Sequence, residues 1–157
     1  GTGCSYITEV VARPFSIIQD NNGKYVVVGQ FETYQGTTSN RIIRLNQDGS
    51  IDNTFNVGTG FNSLCHTIIQ DNNGKYVVGG AFTTYNGITS NRIIRLNQDG
   101  SIDNTFNIGT GFNDDVRTII LNNEGVYVIG GKFNTYQNVT YNRFIKLNQD
   151  GTPAMVV

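Results

Sequence analysis

The chain has 157 residues, of which 11 are basic and 12 acidic, for a net charge of −1. That balance excludes the basic excess a nucleic-acid groove or an anionic membrane surface requires, and no run approaches the ~18 apolar residues of a membrane-inserting helix. Glycine is frequent (19 residues), tryptophan is absent and only 15% of residues are charged, a composition that favours strands and tight turns over helices.

The opening Gly1-Thr2-Gly3 returns as Gly58-Thr59-Gly60 and Gly109-Thr110-Gly111. Residues 1–16 therefore read as the tail of a preceding repeat plus a connection, and the chain as processed or as a piece of something longer. From Ile17 onward the sequence repeats every 51 residues: Ile17 returns as Ile68 and Ile119, Gly23 as Gly74 and Gly125, Gly49 as Gly100 and Gly151. The units are 17–62, 63–113 and 114–157, the last with a divergent end. Between 17–62 and 68–113, 40 of 46 positions are identical. A unit this small cannot bury its own apolar face and is stable only when stacked on its neighbours.

In the middle copy, Thr67–Gln70 is a first strand, followed by the turn Asp71-Asn72-Asn73-Gly74. Asn-Gly between apolar runs is the strongest short hairpin signal, because a type I′ turn needs positive φ at both central positions. Lys75–Phe82 is the second strand, a polar loop with Asn86-Gly87 follows, and Asn91–Asn97 is the third. Asp99-Gly100 makes another tight turn, and Ser101–Phe106 is expected as a short fourth strand. The second strand is apolar on both faces, Tyr25, Val27 and Phe31 on one side and Val26 and Val28 on the other. Such a sheet must be covered twice. The expected fold is all-β, three four-stranded antiparallel repeats of ~51 residues packed face to face as β-propeller blades; a parallel β-helix is the main rival. Propellers have about four to eight blades, so three form a partial propeller or a ring completed by other chains, two chains of three giving six. Blades this similar can also pair between chains, which makes copies of the chain its first expected partner.

The pattern Gln-Asp-Asn-Asn-Gly-Lys-Tyr-Val-Val-x-Gly-x-Phe, then Asn-Arg-Ile-Ile-Arg-Leu-Asn-Gln-Asp-Gly-Ser-Ile-Asp-Asn-Thr-Phe, resembles the delta-60 repeat over residues 16–151. The resemblance implies propeller blades of large secreted or surface proteins of bacteria and of some phage structural proteins, hence an extracellular, cell-surface or virion location. It brings no catalytic residues. Gly79-Gly80 and Gly130-Gly131 also echo the kelch double glycine, without the kelch tryptophan.

Candidate chemistry is sparse. Cys4 and Cys65 do not recur, so free or buried thiols are expected, with a Cys4–Cys65 bridge as the alternative. Two thiols and the single His66 fall short of a zinc set, and no cofactor is implied. Asp48–Asp52 and Asp99–Asp103 resemble half of a calcium loop, but Phe55 and Phe106 stand where the bidentate Glu belongs, so turns with local Asp-to-backbone bonds are expected. Arg41, Arg92 and Arg143 recur, as do Arg44, Arg95 and Lys146; they either staple blades, on loop carbonyls or on Asp52 and Asp103, or line an anion groove. Tyr34, Tyr85 and Tyr136 recur in the loop after the second strand, beside Gln35, Asn86 and Gln137, and serve packing or stack on sugars. Non-repeating residues gather in that loop and before the first strand, at Arg13 and Phe15, Leu64 and His66, Asp115 and Arg117. Loops on a rigid scaffold are where binding sits. The expectation is a non-catalytic structural or adhesive module presenting loops to a protein or glycan surface. The runner-up is an oligomeric lectin with one sugar site per blade. A hydrolase would need carboxylates such as Asp114 and Asp115 at a channel mouth.

Overall fold

The computed structural model describes residues 3–5 and 12–154. In the first repeat, β1 (Cys4–Ser5), β2 (Arg13–Gln19), β3 (Tyr25–Gln30), β4 (Thr33–Tyr34), β5 (Thr37–Thr38) and β6 (Ile42–Leu45) form two antiparallel sheets, in the orders β2-β3-β6 and β1-β4-β5. The second contains β7 (Cys65–Gln70), β8 (Tyr76–Gly80), β9 (Thr84–Tyr85), β10 (Ile88–Thr89) and β11 (Ile93–Leu96), ordered β7-β8-β11 and β9-β10. The third repeats this with β12 (Val116–Leu121), β13 (Tyr127–Gly131), β14 (Thr135–Tyr136), β15 (Val139–Thr140) and β16 (Phe144–Leu147). No helix is present among the described residues, and none is long and apolar enough to cross a membrane. Each main sheet is closed within its own repeat and the first strands β2, β7 and β12 pack beside one another. That is the arrangement of propeller blades, three of them without ring closure, rather than of β-helix rungs.

The expected fourth strand is only a single antiparallel bridge, Leu45↔Ile51, Leu96↔Ile102 or Leu147↔Pro153. The reason is local. Asp103 Oδ1 accepts the backbone N–H of Thr105 at 3.0 Å and its hydroxyl at 2.6 Å, which curls the chain away immediately after the bridge. A tight turn is present at Asp71–Gly74, where Asp71 Oδ1 accepts the N–H groups of Asn73 and Lys75, both at 2.9 Å, but only Gly74 takes a positive φ (76°), so it is not the expected type I′ turn; Asn86-Gly87, at 49° and 75°, has positive φ at both positions.

Blades meet face to face through their apolar sides. Val26, Val28 and Ile42 of the first share a core with Ile68, Tyr76, Val78, Ile94 and Leu96 of the second. Val77 and Ile93 of the second share another with Ile119, Tyr127, Ile129, Ile145 and Leu147 of the third. The connecting segments belong to the blade ahead: Phe61 bridges Tyr85 and Phe112 bridges Tyr136. Cys4 pairs with Tyr34 in the same way, so the segment after the first Gly-Thr-Gly serves the first blade as Phe61 and Phe112 serve the next two. Cys4 and Cys65 are both free thiols.

Candidate functional site

The recurring polar side chains are engaged in holding blades together. Arg44 (7% exposed) donates from Nε to Asp52 at 2.9 Å, from Nη2 to Thr54, and from Nη1 to the Tyr76 hydroxyl at 3.2 Å and the Gln98 carbonyl, both on the next blade. Tyr76 in turn donates to Asp20 in the first blade's hairpin turn, at 2.5 Å. Arg95, Asp103, Tyr127, Gln149 and Asp71 reproduce the same set one blade on. Burial alone would raise the Asp52 pKa, but its bonds from Thr54 and Arg44 outweigh this and hold it down at about 2. Burial and the bond to Asp20 push the Tyr76 hydroxyl up to about 12, so it stays a proton donor.

The other arginine series takes carbonyls. Arg41 and Arg92, at φ of 76° and 70°, donate from Nη1 to the Phe61 and Phe112 carbonyls at 2.9 and 3.0 Å. Arg143 keeps the conformation (φ 75°) but bonds Asn134 of its own blade. The members of both arrays on the first two blades are thus brought to the blade boundaries. Tyr85 and Tyr136 are buried, with their hydroxyls on the Gly100 and Gly151 carbonyls at 2.5 and 2.6 Å and their rings 4.8 and 4.6 Å from Phe61 and Phe112. Neither ring is open to a sugar; half-buried Tyr34 makes the same bond to Gly49 at 2.8 Å. Asn86 and Gln137 sit at positive φ in their turns, with Asn86 Oδ1 accepting the Thr59 N–H and Gln137 donating to the Tyr136 hydroxyl. Asp48, Asp99 and Asp150 accept the N–H two residues on. No group of three metal-ligating side chains lies together among the described residues.

The non-repeating residues before the first strands do converge. The pairing of β2 with β3, β7 with β8 and β12 with β13 slips at one residue, making a bulge at Phe15, His66 and Arg117 in turn. Opposite each bulge stands a glycine, Gly29, Gly80 or Gly131. A Cβ at Gly80 would lie 2.2 Å from the Leu64 carbonyl oxygen, so only glycine lets the bulged backbone approach. Because β2, β7 and β12 are neighbours, the three bulges form one cluster. His66 stacks on Phe15 (centroids 5.7 Å apart, 27° between planes), and its Nε2 lies 3.5 Å from Asp115 Oδ2, which Arg117 holds at 2.9 Å. Burial first, then Arg117 and Lys132, lower the His66 pKa against the opposing pull of Asp115, which leaves the ring neutral at pH 7. Neighbouring Cys65 is fully buried and its pKa is raised well above the usual thiol range by burial, so it is an inert thiol. The cluster offers an aromatic platform, a neutral imidazole and an exposed guanidinium, which suit recognition. Its position was legible in the sequence as the non-repeating triplet 15, 66, 117; the bulge that groups those residues was marked only by the recurring Gly29, Gly80 and Gly131.

Comparison with known proteins agrees with this architecture. The family described as a domain of unknown function (DUF5122) beta-propeller matches three times, at residues 21–55, 72–106 and 125–153. No curated protein and no solved structure matches the chain. The three matches take in over half of the sequence and fall one on each blade, so the chain belongs to the DUF5122 beta-propeller family.

Proposed function

We propose that this chain is a non-catalytic structural and adhesive module of a surface-exposed or virion protein, of the delta-60 kind, which presents non-repeated side chains to a protein or glycan partner. One observation carries the reading: the repeated polar side chains are engaged in bonds between and within blades, whereas the non-repeated Phe15, His66, Asp115 and Arg117 meet at one place. A scaffold held by its repeated residues leaves recognition to the others.

A groove on the second blade supports the lectin alternative. About 490 Å³ in volume, it brings Asn56, Asn86, Asp99 and Asn104 beside Ile88 and Ile102, a mixture of polar and apolar lining suited to a sugar. Binding to an immobilised glycan panel, with stoichiometry by calorimetry on any hit, separates the two. The structural reading predicts no turnover of polysaccharide and at most one site per chain, weakened at least tenfold by Arg117→Ala and unchanged by Asn86→Ala. Several sites per chain, one of them lost in Asn86→Ala, would establish the lectin instead.

A further inference from the structure

We infer that two lysine–asparagine pairs, Lys24 with Asn46 and Lys75 with Asn97, are built to join as intramolecular isopeptide bonds, one in each of the first two blades. The bond is internal to a blade and does not depend on what the module recognises.

Lys75 immediately precedes β8 and Asn97 immediately follows β11, and the last ladder pair between those strands is Tyr76 with Leu96. Lys75 and Asn97 are therefore the next opposed residues, and Lys75 Nζ lies 2.5 Å from Asn97 Oδ1. Asn97 Cγ, one carbonyl bond further on, is within about 3.7 Å of that nitrogen, near the separation from which bond formation starts. The amide is held from its other side. Its Nδ2 donates to the Ser101 hydroxyl at 2.9 Å and to the Ile102 carbonyl at 3.4 Å, which keeps Oδ1 turned to the lysine. Asp103 completes the set, buried, with Oδ2 3.8 Å from Nζ. The first blade repeats all three groups: Lys24 Nζ contacts Asn46 Oδ1 and lies 3.6 Å from Asp52 Oδ2, while Asn46 Nδ2 donates to Ser50 and Ile51.

An amine fixed beside a carboxamide, with a carboxylate at hand, has the parts that amide exchange requires. Lys75 Nζ gives one proton to Asp103, attacks Asn97 Cγ as the free amine and passes a second proton to Nδ2. The Nζ–Cγ bond forms as the Cγ–Nδ2 bond breaks, and Nδ2 leaves as ammonia, which takes the proton back from Asp103 to become ammonium. No other reactant is consumed. Asp103 keeps Arg95, at 2.8 Å, as its charge partner once the lysine nitrogen is uncharged.

The third blade shows that neither partner needs the lysine for its work in the fold. Val126 stands in place of the lysine and Ala154 in place of the carboxylate, while Asn148 remains. It still donates to Thr152 at 3.1 Å and to Pro153 at 3.4 Å, so the asparagine shapes its turn alone. Asp52 and Asp103 are likewise already paired with Arg44 and Arg95. The lysine and the carboxylate are absent together, as members of one reacting set would be.

Intact-mass measurement on the denatured 157-residue chain, after the folded protein has stood at mildly alkaline pH, tests this. Each bond releases one ammonia, about 17 Da, so the wild type is expected about 34 Da below its sequence mass. Digestion should yield branched peptides that join Lys75 to Asn97 and Lys24 to Asn46. Lys75→Arg keeps the charge at a side chain a third exposed and is expected to retain one bond only. Lys24→Arg combined with Lys75→Arg is expected at its full sequence mass. A wild type at full sequence mass overturns the inference. So does a loss of ammonia that persists in the double variant, which would come from ring closure at the Asn-Gly turns instead.

Discussion

Replacing Arg95 with alanine is expected to lower the free energy of unfolding by about 3–5 kcal/mol, the loss typical of breaking a buried charge pair from one side. Arg95 is 6% exposed and reaches Asp103 at 2.8 Å, Thr105 at 3.0 Å, the Tyr127 hydroxyl at 3.1 Å and the Gln149 carbonyl at 2.6 Å, with its guanidinium 4.8 Å above the Phe106 ring. Alanine deletes all five contacts and leaves Asp103 with Lys75, 3.8 Å from Oδ2 and a third exposed, as its one cationic partner among the described residues. Lysine at position 95 keeps the charge but lacks the planar fork that reaches a carboxylate and two groups of the next blade together, so it should recover only part of the loss. The measurement is the urea midpoint at constant slope. A loss below about 1 kcal/mol, the range of an exposed pair, would mean that the staple is not formed.

Phe112→Ala is expected to cost a similar amount, about 3–5 kcal/mol, through the cavity it leaves. The phenylalanine lies before the third blade in sequence but inside it in space, 1% exposed, with ring centroids 4.4 Å from Phe133 and 4.6 Å from Tyr136. Stacked repeats contact only their neighbours, so their stabilities are local. The loss should therefore fall on the third blade first. In amide exchange, β13 and β16 should lose protection while β3 and β6 keep theirs, an outcome that uniform loss across all three blades would contradict.

Much of this was legible in the sequence because the repeat presents each environment more than once. The 51-residue period placed the blades, Asn-Gly and Asp-Gly placed the turns, and Val26 and Val27, apolar on opposite faces, called for a neighbour on both sides. The core containing Val26 supplies the second blade, whereas Val27 is buried with Phe31, Ile43 and Leu45 of its own blade and with Cys4 and Ala12 of the segment before it. The fourth strand did not survive, because Ser101–Phe106 reads as a strand by composition while Asp103 bends the backbone through side-chain bonds that composition does not register. For the arginine partners the sequence offers two options. Arg44 and Asp52 are eight residues apart and could be matched by eye, but Tyr76 and Gln98 reach Arg44 only through the register between blades, which no local pattern encodes. The same limit hid the convergence of Phe15, His66 and Asp115, residues of three successive repeats that become neighbours only when the first strands are set side by side.

That the blades are stapled by their repeated polar residues is tested most directly by a double-mutant cycle across one boundary. Tyr127 of the third blade donates to Asp71 Oδ2 of the second at 2.6 Å. Tyr127→Phe deletes this bond and Asp71→Asn deletes its charged acceptor, both with little change of shape, and Asn at 71 can still accept the turn's N–H groups. The two substitutions, singly and together, should show a coupling of about 1.5–3 kcal/mol, as for a hydrogen bond to a charged group. Single effects that simply add, to within about 0.5 kcal/mol, would show that the two blades do not meet there.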